Sequence, residues 1–188
     1  MLKFAFWFRK WREKIGLLNG RKCPCALALC LKSNQISREL PNNWNESHWQ
    51  YLKVVDVSYN NLSGKILSSM GFLSTLFLLV LSCNNFYGEI PSSLQNCSLI
   101  NIDLGENHFS GNLPSWIGSD IYIIRLWLNL FVGIILRQWC NLSVLHILDL
   151  AHNNLFGGIP DYINNFTTLT YSNNTIGYFG YQSYFEKN

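Results

Sequence analysis

The sequence is poor in charged residues and has no apolar run long enough to cross a membrane. Only 13% of the 188 residues are charged, and the formal net charge is +3. A spanning helix needs about 20 consecutive apolar residues, whereas the apolar segments 71–83 and 121–136 are shorter and Arg125 interrupts the second. Since 48% of the residues are apolar, a disordered chain is excluded. The small charge argues against a nucleic-acid partner.

Signals for secretion and for metal binding are also scarce. Arg9 and Lys10 interrupt the apolar start of the sequence, so we expect no signal-peptide core there. Cys23, Cys25 and Cys30 come closest to a metal-binding cluster. Because no second cysteine pair or histidine cluster accompanies them, we expect no metal site and no cofactor.

Catalytic patterns are missing as well. Asp149 and His152 form the nearest approach to an acid–base pair. No nucleophile, paired carboxylates or glycine-rich phosphate loop accompanies them. We therefore expect a protein that binds other molecules and has no enzymatic activity.

Asparagine, by contrast, recurs at a regular spacing. The aligned asparagines, which number repeats 1 to 6, are Asn34, Asn60, Asn84, Asn107, Asn129 and Asn153. Subtraction of neighbouring residue numbers gives spacings of 26, 24, 23, 22 and 24 residues. Such a period is typical of a solenoid in which each repeat forms one coil. An asparagine side chain has donors and an acceptor, so we expect it to pair backbone groups that the turn would otherwise bury unpaired.

The same alignment brings apolar residues into five columns. The positions five and three before each asparagine, and two, six and ten after it, are apolar in all six repeats. Two apolar residues separated by one outward residue predict a short strand with one buried face. One strand per repeat cannot bury that face alone, so the pattern predicts stacked coils with a parallel sheet over a continuous core.

Glycine and proline take fixed positions in the predicted turns. Glycine stands four residues after the asparagine in five repeats, and Arg38 takes its place in repeat 1. A tight turn with positive φ, or close approach of the next coil, favours glycine. Proline stands seven residues after the asparagine in four repeats, where its fixed φ and missing donor suit an extended segment.

Strings such as NHFSGNLPSWIG and LHILDLAHNNLFGGIPDYINNFTTL resemble the plant-specific leucine-rich repeat, LxxLxLxxNxLxGxIPxxLxxLxx. The resemblance implies a leucine-rich repeat solenoid of the α/β horseshoe class, mostly β. Short parallel strands would form its concave face, and extended and 3-10 segments its convex face. Six plant-type repeats are expected over 26–169, after an irregular, non-repeat segment over 1–25. The aromatic tail 170–188 resembles the start of the island segment of plant receptor-like proteins.

The resemblance also implies a function and a location. It indicates a protein- or peptide-binding module, a fragment of a cell-surface receptor-like protein in defence or developmental signalling. The expected location is the extracellular side of the plasma membrane, with membrane attachment through segments outside this sequence. A co-receptor kinase is an expected partner. The alternatives are a fragment of a leucine-rich repeat receptor kinase, a secreted inhibitor of cell-wall-degrading enzymes, and a truncated gene product without function.

The register selects a candidate ligand-binding surface. Residues four, two and one before each asparagine are predicted to face outward from the concave sheet, where neighbouring coils present side chains on a rigid grid. The candidates for ligand contact are Asp56, Tyr59, Asp103, Glu106, Arg125, Trp127, Asp149 and His152. Arg125 and Trp127 are the strongest pair, because arginine and tryptophan often anchor interfaces. For each aspartate taken alone, the favoured interpretation is a solvated residue of the repeat pattern that contacts no ligand.

Six sequons of the form Asn-x-Ser/Thr predict N-glycosylation of an exported chain. They lie at Asn45, Asn61, Asn96, Asn141, Asn165 and Asn173. About three would arise by chance at this composition. The excess is modest and agrees with an extracellular origin.

Overall fold

Residues 27–161 are described by the structure, a computed structural model of the chain, and they form six stacked coils. The residues before each aligned asparagine form one strand of a parallel sheet, called the first sheet. Its strands, in spatial order, are β1 (Ala28–Cys30), β3 (Val54–Asp56), β5 (Leu78–Val80), β7 (Asn101–Asp103), β9 (Ile123–Arg125) and β11 (Ile147–Asp149). The predicted stack of parallel strands, one per repeat, is therefore confirmed.

A second parallel sheet follows the asparagines. Its strands are β2 (Ser37–Glu39), β4 (Asn61–Gly64), β6 (Asn85–Gly88), β8 (His108–Asn112), β10 (Leu130–Gly133) and β12 (Asn154–Leu155). The sequence pattern predicted only extended backbone here, and it missed the sheet. Extended segments that stack in register present backbone N–H and C=O groups to each other, and pairing them satisfies these groups.

Short 3-10 helices complete four of the coils, as the sequence predicted for this side. They span Ser47–Trp49, Ser68–Phe72, Ser92–Asn96 and Arg137–Asn141. The helix Ser92–Asn96 starts directly after Pro91, whose φ of −67° and ψ of 137° keep the preceding backbone extended. Repeat 1, the longest, uses its extra residues for the helix Ser47–Trp49, and Trp49 is buried beside Trp44.

The core consists of the predicted apolar columns, each stacked coil upon coil. Two residues after the asparagines, Phe86, Phe109 and Phe131 lie fully buried and nearly parallel, with ring centroids 6.2 and 6.5 Å apart. Ten residues after the asparagines, Trp44 and Trp139 are buried at opposite ends of the described part of the same row. Each coil thus covers the apolar face of its neighbour.

The aligned asparagines bridge neighbouring coils. Asn107 Nδ2 donates to the carbonyls of Leu104 and Gly105 in its own coil and of Leu81 in the coil before, each at 3.1 Å. Its Oδ1 accepts from Phe86 N–H at 3.0 Å. The same four contacts recur at Asn60, Asn84, Asn129 and Asn153. The predicted pairing of backbone groups is confirmed.

Two positions in every described coil have positive φ. The predicted glycine is one, and Gly64, for example, has φ +94°. Arg38, which replaces glycine in repeat 1, has φ 91°. This conformation is energetically unfavourable for any residue that has a Cβ. The other position immediately precedes the asparagine, where residues such as Tyr59 (φ 55°) and Glu106 (φ 55°) adopt left-handed backbone. This second turn was not predicted.

The substitution Asn107→Asp is expected to destabilise the chain by about 3 kcal/mol or more. It keeps the acceptor for Phe86 N–H but places a carboxylate oxygen against three carbonyl oxygens, and buried unpaired groups cost about 1–3 kcal/mol each. Chemical denaturation followed by circular dichroism measures the change. Asn34→Asp is the control, because Asn34 is exposed and, among residues 27–161, its Nδ2 donates to the Leu31 and Lys32 carbonyls of its own coil and to no other coil. Equal losses in both variants would contradict the bridging role.

The substitution Arg38→Gly is expected to stabilise the chain by about 1 kcal/mol, because glycine adopts φ 91° without a clash. Differential scanning calorimetry would show a higher unfolding temperature. Arg38→Ala is the matched control, since alanine removes the guanidinium and keeps the backbone strain. A gain of the same size with alanine would assign the effect to the side chain instead.

Candidate functional site

The outward face of the first sheet carries the candidate residues in one row. The strand register aligns Asp56 with Val80, Val80 with Asp103, Asp103 with Arg125, and Arg125 with Asp149. All five stand four residues before an asparagine, and the residues before them in each strand point into the core. The predicted grid of outward residues is therefore present.

A cleft of about 220 Å³ lies on this face. It is lined by Lys32, Asp56, Ser58, Tyr59, Val80, Ser82, Cys83, Asp103, Arg125 and Trp127. Five of the eight predicted contact residues are among them. Glu106 reaches the cleft only through Cys83, whose Sγ lies 3.0 Å from Glu106 Oε2, whereas Asp149 and His152 lie outside the lining.

Two carboxylates in the cleft are held by the backbone of their own coils. Asp56 Oδ1 accepts from Ser58 N–H at 3.1 Å and from the Ser58 hydroxyl at 2.6 Å. Asp103 Oδ1 accepts from Gly105 N–H at 3.2 Å, and its Oδ2 lies 3.8 Å from Arg125 Nη1. Burial raises the pKa of Asp103, while the Gly105 N–H and Arg125 act in the opposite direction.

The interpretation of the aspartates as solvated residues does not hold at Asp56. Its side chain is only 2% exposed. Ser58 and Ser82, also predicted to face solvent, are buried as well. All three residues line the cleft, together with the larger side chains of Tyr59, from the same coil as Asp56, and of Trp127. At the edge of the row, Asp149 keeps a more open position and accepts from Ala151 N–H at 3.2 Å.

Trp127 lies directly over the backbone of Gly105. A Cβ at Gly105 would overlap the indole Nε1. The equivalent position holds serine in repeats 2 and 3, where the next coil carries no tryptophan. Gly105 therefore gives Trp127 the space to lie flat against the sheet. Arg125, in the same coil, is partly buried and forms the ion pair with Asp103.

A second row consists of the residues with left-handed backbone that immediately precede the asparagines. Tyr59, Cys83 and Glu106 are neighbours in it, and Lys32 Nζ lies 5.6 Å from the centroid of the Tyr59 ring. Burial and the hydrogen bond to Glu106 raise the pKa of Cys83 to about 11. The hydrogen bond with Cys83 raises the pKa of Tyr59, with smaller contributions from Glu106 and Asp103.

Sequence reasoning missed one outward column. Six residues before the asparagines, Val54, Leu78, Ile123 and Ile147 begin their strands on the same face as the aspartates. Their apolar side chains are buried or half-buried. The signal was available, because the alternation of a strand continues one step before the first core column.

Within 27–161, no helix is long and apolar enough to span a membrane. The same residues contain no group of three or more histidine, cysteine and acidic side chains that could hold a metal ion. Cys30, Cys83, Cys97 and Cys140 are free thiols, and burial raises the pKa of Cys97 to about 11.

The repeats match a known protein family. The Leucine Rich Repeat family model matches residues 51–73, 75–97, 98–119 and 144–166. Receptor-like protein 53 of Arabidopsis thaliana is 45% identical over 147 residues, which cover 75% of this chain and 15% of that protein. The chain spans 15–21% of the length of this and two further Arabidopsis receptor-like proteins that it matches.

Solved ectodomains have the same fold. The Arabidopsis receptor kinase HAESA, in complex with the peptide hormone IDA and the co-receptor SERK1, superposes with a TM-score of 0.70 at 33% identity, over 75% of this chain and 24% of that one. The BIR3–SERK2 complex from Arabidopsis thaliana matches with a TM-score of 0.60 at 31% identity, over 69% of each chain. The predicted leucine-rich repeat fold is confirmed.

The substitution Gly105→Ala is expected to displace the Trp127 indole from the sheet, because the new methyl group takes its place. The free energy of unfolding should change by less than about 1 kcal/mol, since the Trp127 side chain that must move is already partly exposed. The indole N–H signal of Trp127 in a ¹⁵N–¹H spectrum, assigned with Trp127→Phe, reports the displacement. Gly118→Ala is the control, since nothing lies within 4 Å of its added Cβ. An unmoved Trp127 signal in Gly105→Ala would contradict the packing described.

Proposed function

The chain belongs to the plant leucine-rich repeat family of receptor-like proteins and receptor ectodomains, and we propose that it forms part of the ligand-binding ectodomain of such a receptor. The observation that carries the proposal is the cleft on the first sheet, where Trp127, Arg125 and Tyr59 surround two buried or half-buried carboxylates. Tryptophan, tyrosine and arginine are the residues most often found as energetic anchors of interfaces. A peptide or protein segment is the ligand that such a surface fits.

The rigidity of the sheet supports recognition rather than a structural role alone. Each cleft residue stands on a three-residue strand or on the turn after it, and the asparagine bridges hold these turns in place. A site that is already formed loses little conformational entropy when a ligand binds. The eight candidate contacts remain part of the proposal, with Asp56, Tyr59, Asp103, Arg125 and Trp127 at its centre.

The positions of the sequons agree with a ligand-binding face on the first sheet. The four that lie in the described residues are exposed, and none is on the first sheet. Asn61 begins β4 of the second sheet, and Asn96 and Asn141 end their 3-10 helices. We propose that these sites carry glycans on the extracellular side of the plasma membrane, which a glycosidase-sensitive mass would test. Asn165 and Asn173 lie outside the described residues.

The relatives support a receptor-like protein with a partner kinase. The curated relatives named above are receptor-like proteins, which favours that class over a receptor kinase. The HAESA complex contains both a peptide hormone and a co-receptor, and we propose that this chain likewise contributes to binding a peptide and a co-receptor kinase. The proposed division of the chain is the repeats over 26–169, a non-repeat segment over 1–25 and an island-like tail over 170–188. The proposed activity is binding without catalysis.

The double substitution Arg125→Ala/Trp127→Ala is expected to abolish ligand binding through the first sheet. Peptides selected from a displayed random library against the purified chain should lose at least tenfold in affinity for this variant, because each anchor residue contributes about 2 kcal/mol or more. Biolayer interferometry with the selected peptides measures the loss. The control is Tyr87→Ala, which removes an exposed aromatic side chain from the second sheet. Peptides that depend on Tyr87 and ignore Trp127 would contradict the proposed site.

A further inference from the structure

We infer that the cleft on the first sheet holds a basic side chain, arginine or lysine, of the bound peptide between the carboxylates of Asp56 and Asp103. The inference rests on the proposed function, since it names the chemistry that the same site recognises. It follows from the order of charges across the sheet, from the form of the cleft and from the groups that line its floor.

The two carboxylates flank an uncharged strand. Asp56 and Asp103 are the register partners of Val80 on its two sides. Neighbouring strands lie about 4.8 Å apart, so a group bound above Val80 is about one strand spacing from each carboxylate. Arg125 stands one strand beyond Asp103, but its Nη1 reaches back to 3.8 Å from Asp103 Oδ2 and offsets part of that charge. With Glu106 beside the cleft, three carboxylates face the two cations Lys32 and Arg125. The net charge around Val80 is therefore negative, which favours a cation there.

Both cations of the cleft already have contacts within the chain. Arg125 Nη1 lies 3.8 Å from Asp103 Oδ2, and Lys32 Nζ lies 5.6 Å from the Tyr59 ring centroid. A third carboxylate, Glu106, accepts from Cys83 Sγ at the cleft wall. The negative field of Glu106 and Asp103 contributes to the raised pKa values of Cys83 and Tyr59. The raised pKa values of the Tyr59 hydroxyl and the Cys83 thiol thus agree with a negative potential, which would attract a ligand cation.

The form of the cleft fits one long side chain. Its volume of about 220 Å³ is below the roughly 300–1,000 Å³ of pockets that hold whole small molecules. Val80, 5% exposed, offers an apolar floor to the methylene groups. The Trp127 indole at the edge can contact a guanidinium or ammonium group through its ring face. An acidic side chain in the same place would approach two carboxylates and is therefore disfavoured.

The test uses the full chain and two small probes, Nα-acetyl-arginine methylamide and its neutral isostere Nα-acetyl-citrulline methylamide. The Trp127 indole signal in a ¹⁵N–¹H spectrum is followed during titration with each. We expect saturable shifts with the arginine probe and at least tenfold weaker binding of the citrulline probe. Asp56→Asn and Asp103→Asn should each weaken arginine binding at least threefold, while Glu89→Gln, which removes an exposed carboxylate next to the second sheet, should leave it unchanged. Equal binding of both probes, or no saturable shift with either, would overturn the inference.

Val80→Lys is a second variant in case Asp56→Asn unfolds. It places an ammonium group of the chain itself between the two carboxylates, and it should abolish binding of the arginine probe while the chain remains folded. Unchanged binding in folded Val80→Lys would also overturn the inference. Selected peptides that lack arginine and lysine but depend on Trp127 would contradict it and leave the proposed function intact. Peptides that ignore Trp127 would contradict the proposed function instead.

Discussion

The hydrogen bonds of the aligned asparagine side chains are the interaction on which the rest of the structure depends. Each amide from Asn60 onward joins two coils through three carbonyl oxygens and one N–H. At Asn84, Asn107 and Asn129 these groups are buried, so the loss of the side chain leaves several backbone groups unpaired. The bridges set the height and register of each coil against the previous one. Both sheets, the apolar columns and the row of outward residues follow from that register.

The chain turns twice in each coil through left-handed backbone. One turn uses glycine, and Arg38 shows that the coil imposes the conformation even where glycine is absent. The other turn uses whichever residue precedes the asparagine, such as Tyr59 or Glu106, beside the face proposed to bind the ligand. Structural positions are therefore restricted in residue type, whereas the outward positions between them are free to vary. This separation lets one scaffold present many binding surfaces.

Much of the candidate site followed from period and strand alternation, because both are local. The outward placement of Arg125 and Trp127 needed only the position of the asparagine. Their environment did not follow in the same way. Asp56 is buried on a face that the alternation predicted to be outward, and the contact of Trp127 with Gly105 depends on a residue one repeat earlier. The alignment of the repeats gives the residue type at each position, but it does not give the contacts between side chains of different repeats.

By itself, the sequence determined the solenoid, the number of coils, the core columns and the face that is free to bind. These properties repeat with the asparagines, so each repeat confirms the others. Only the tertiary structure decided the second sheet, the left-handed residue before each asparagine and the cleft between Asp56 and Asp103. Those features arise between coils: backbone pairing, steric cover and the sum of several charges depend on distances across the stack, which no single repeat contains.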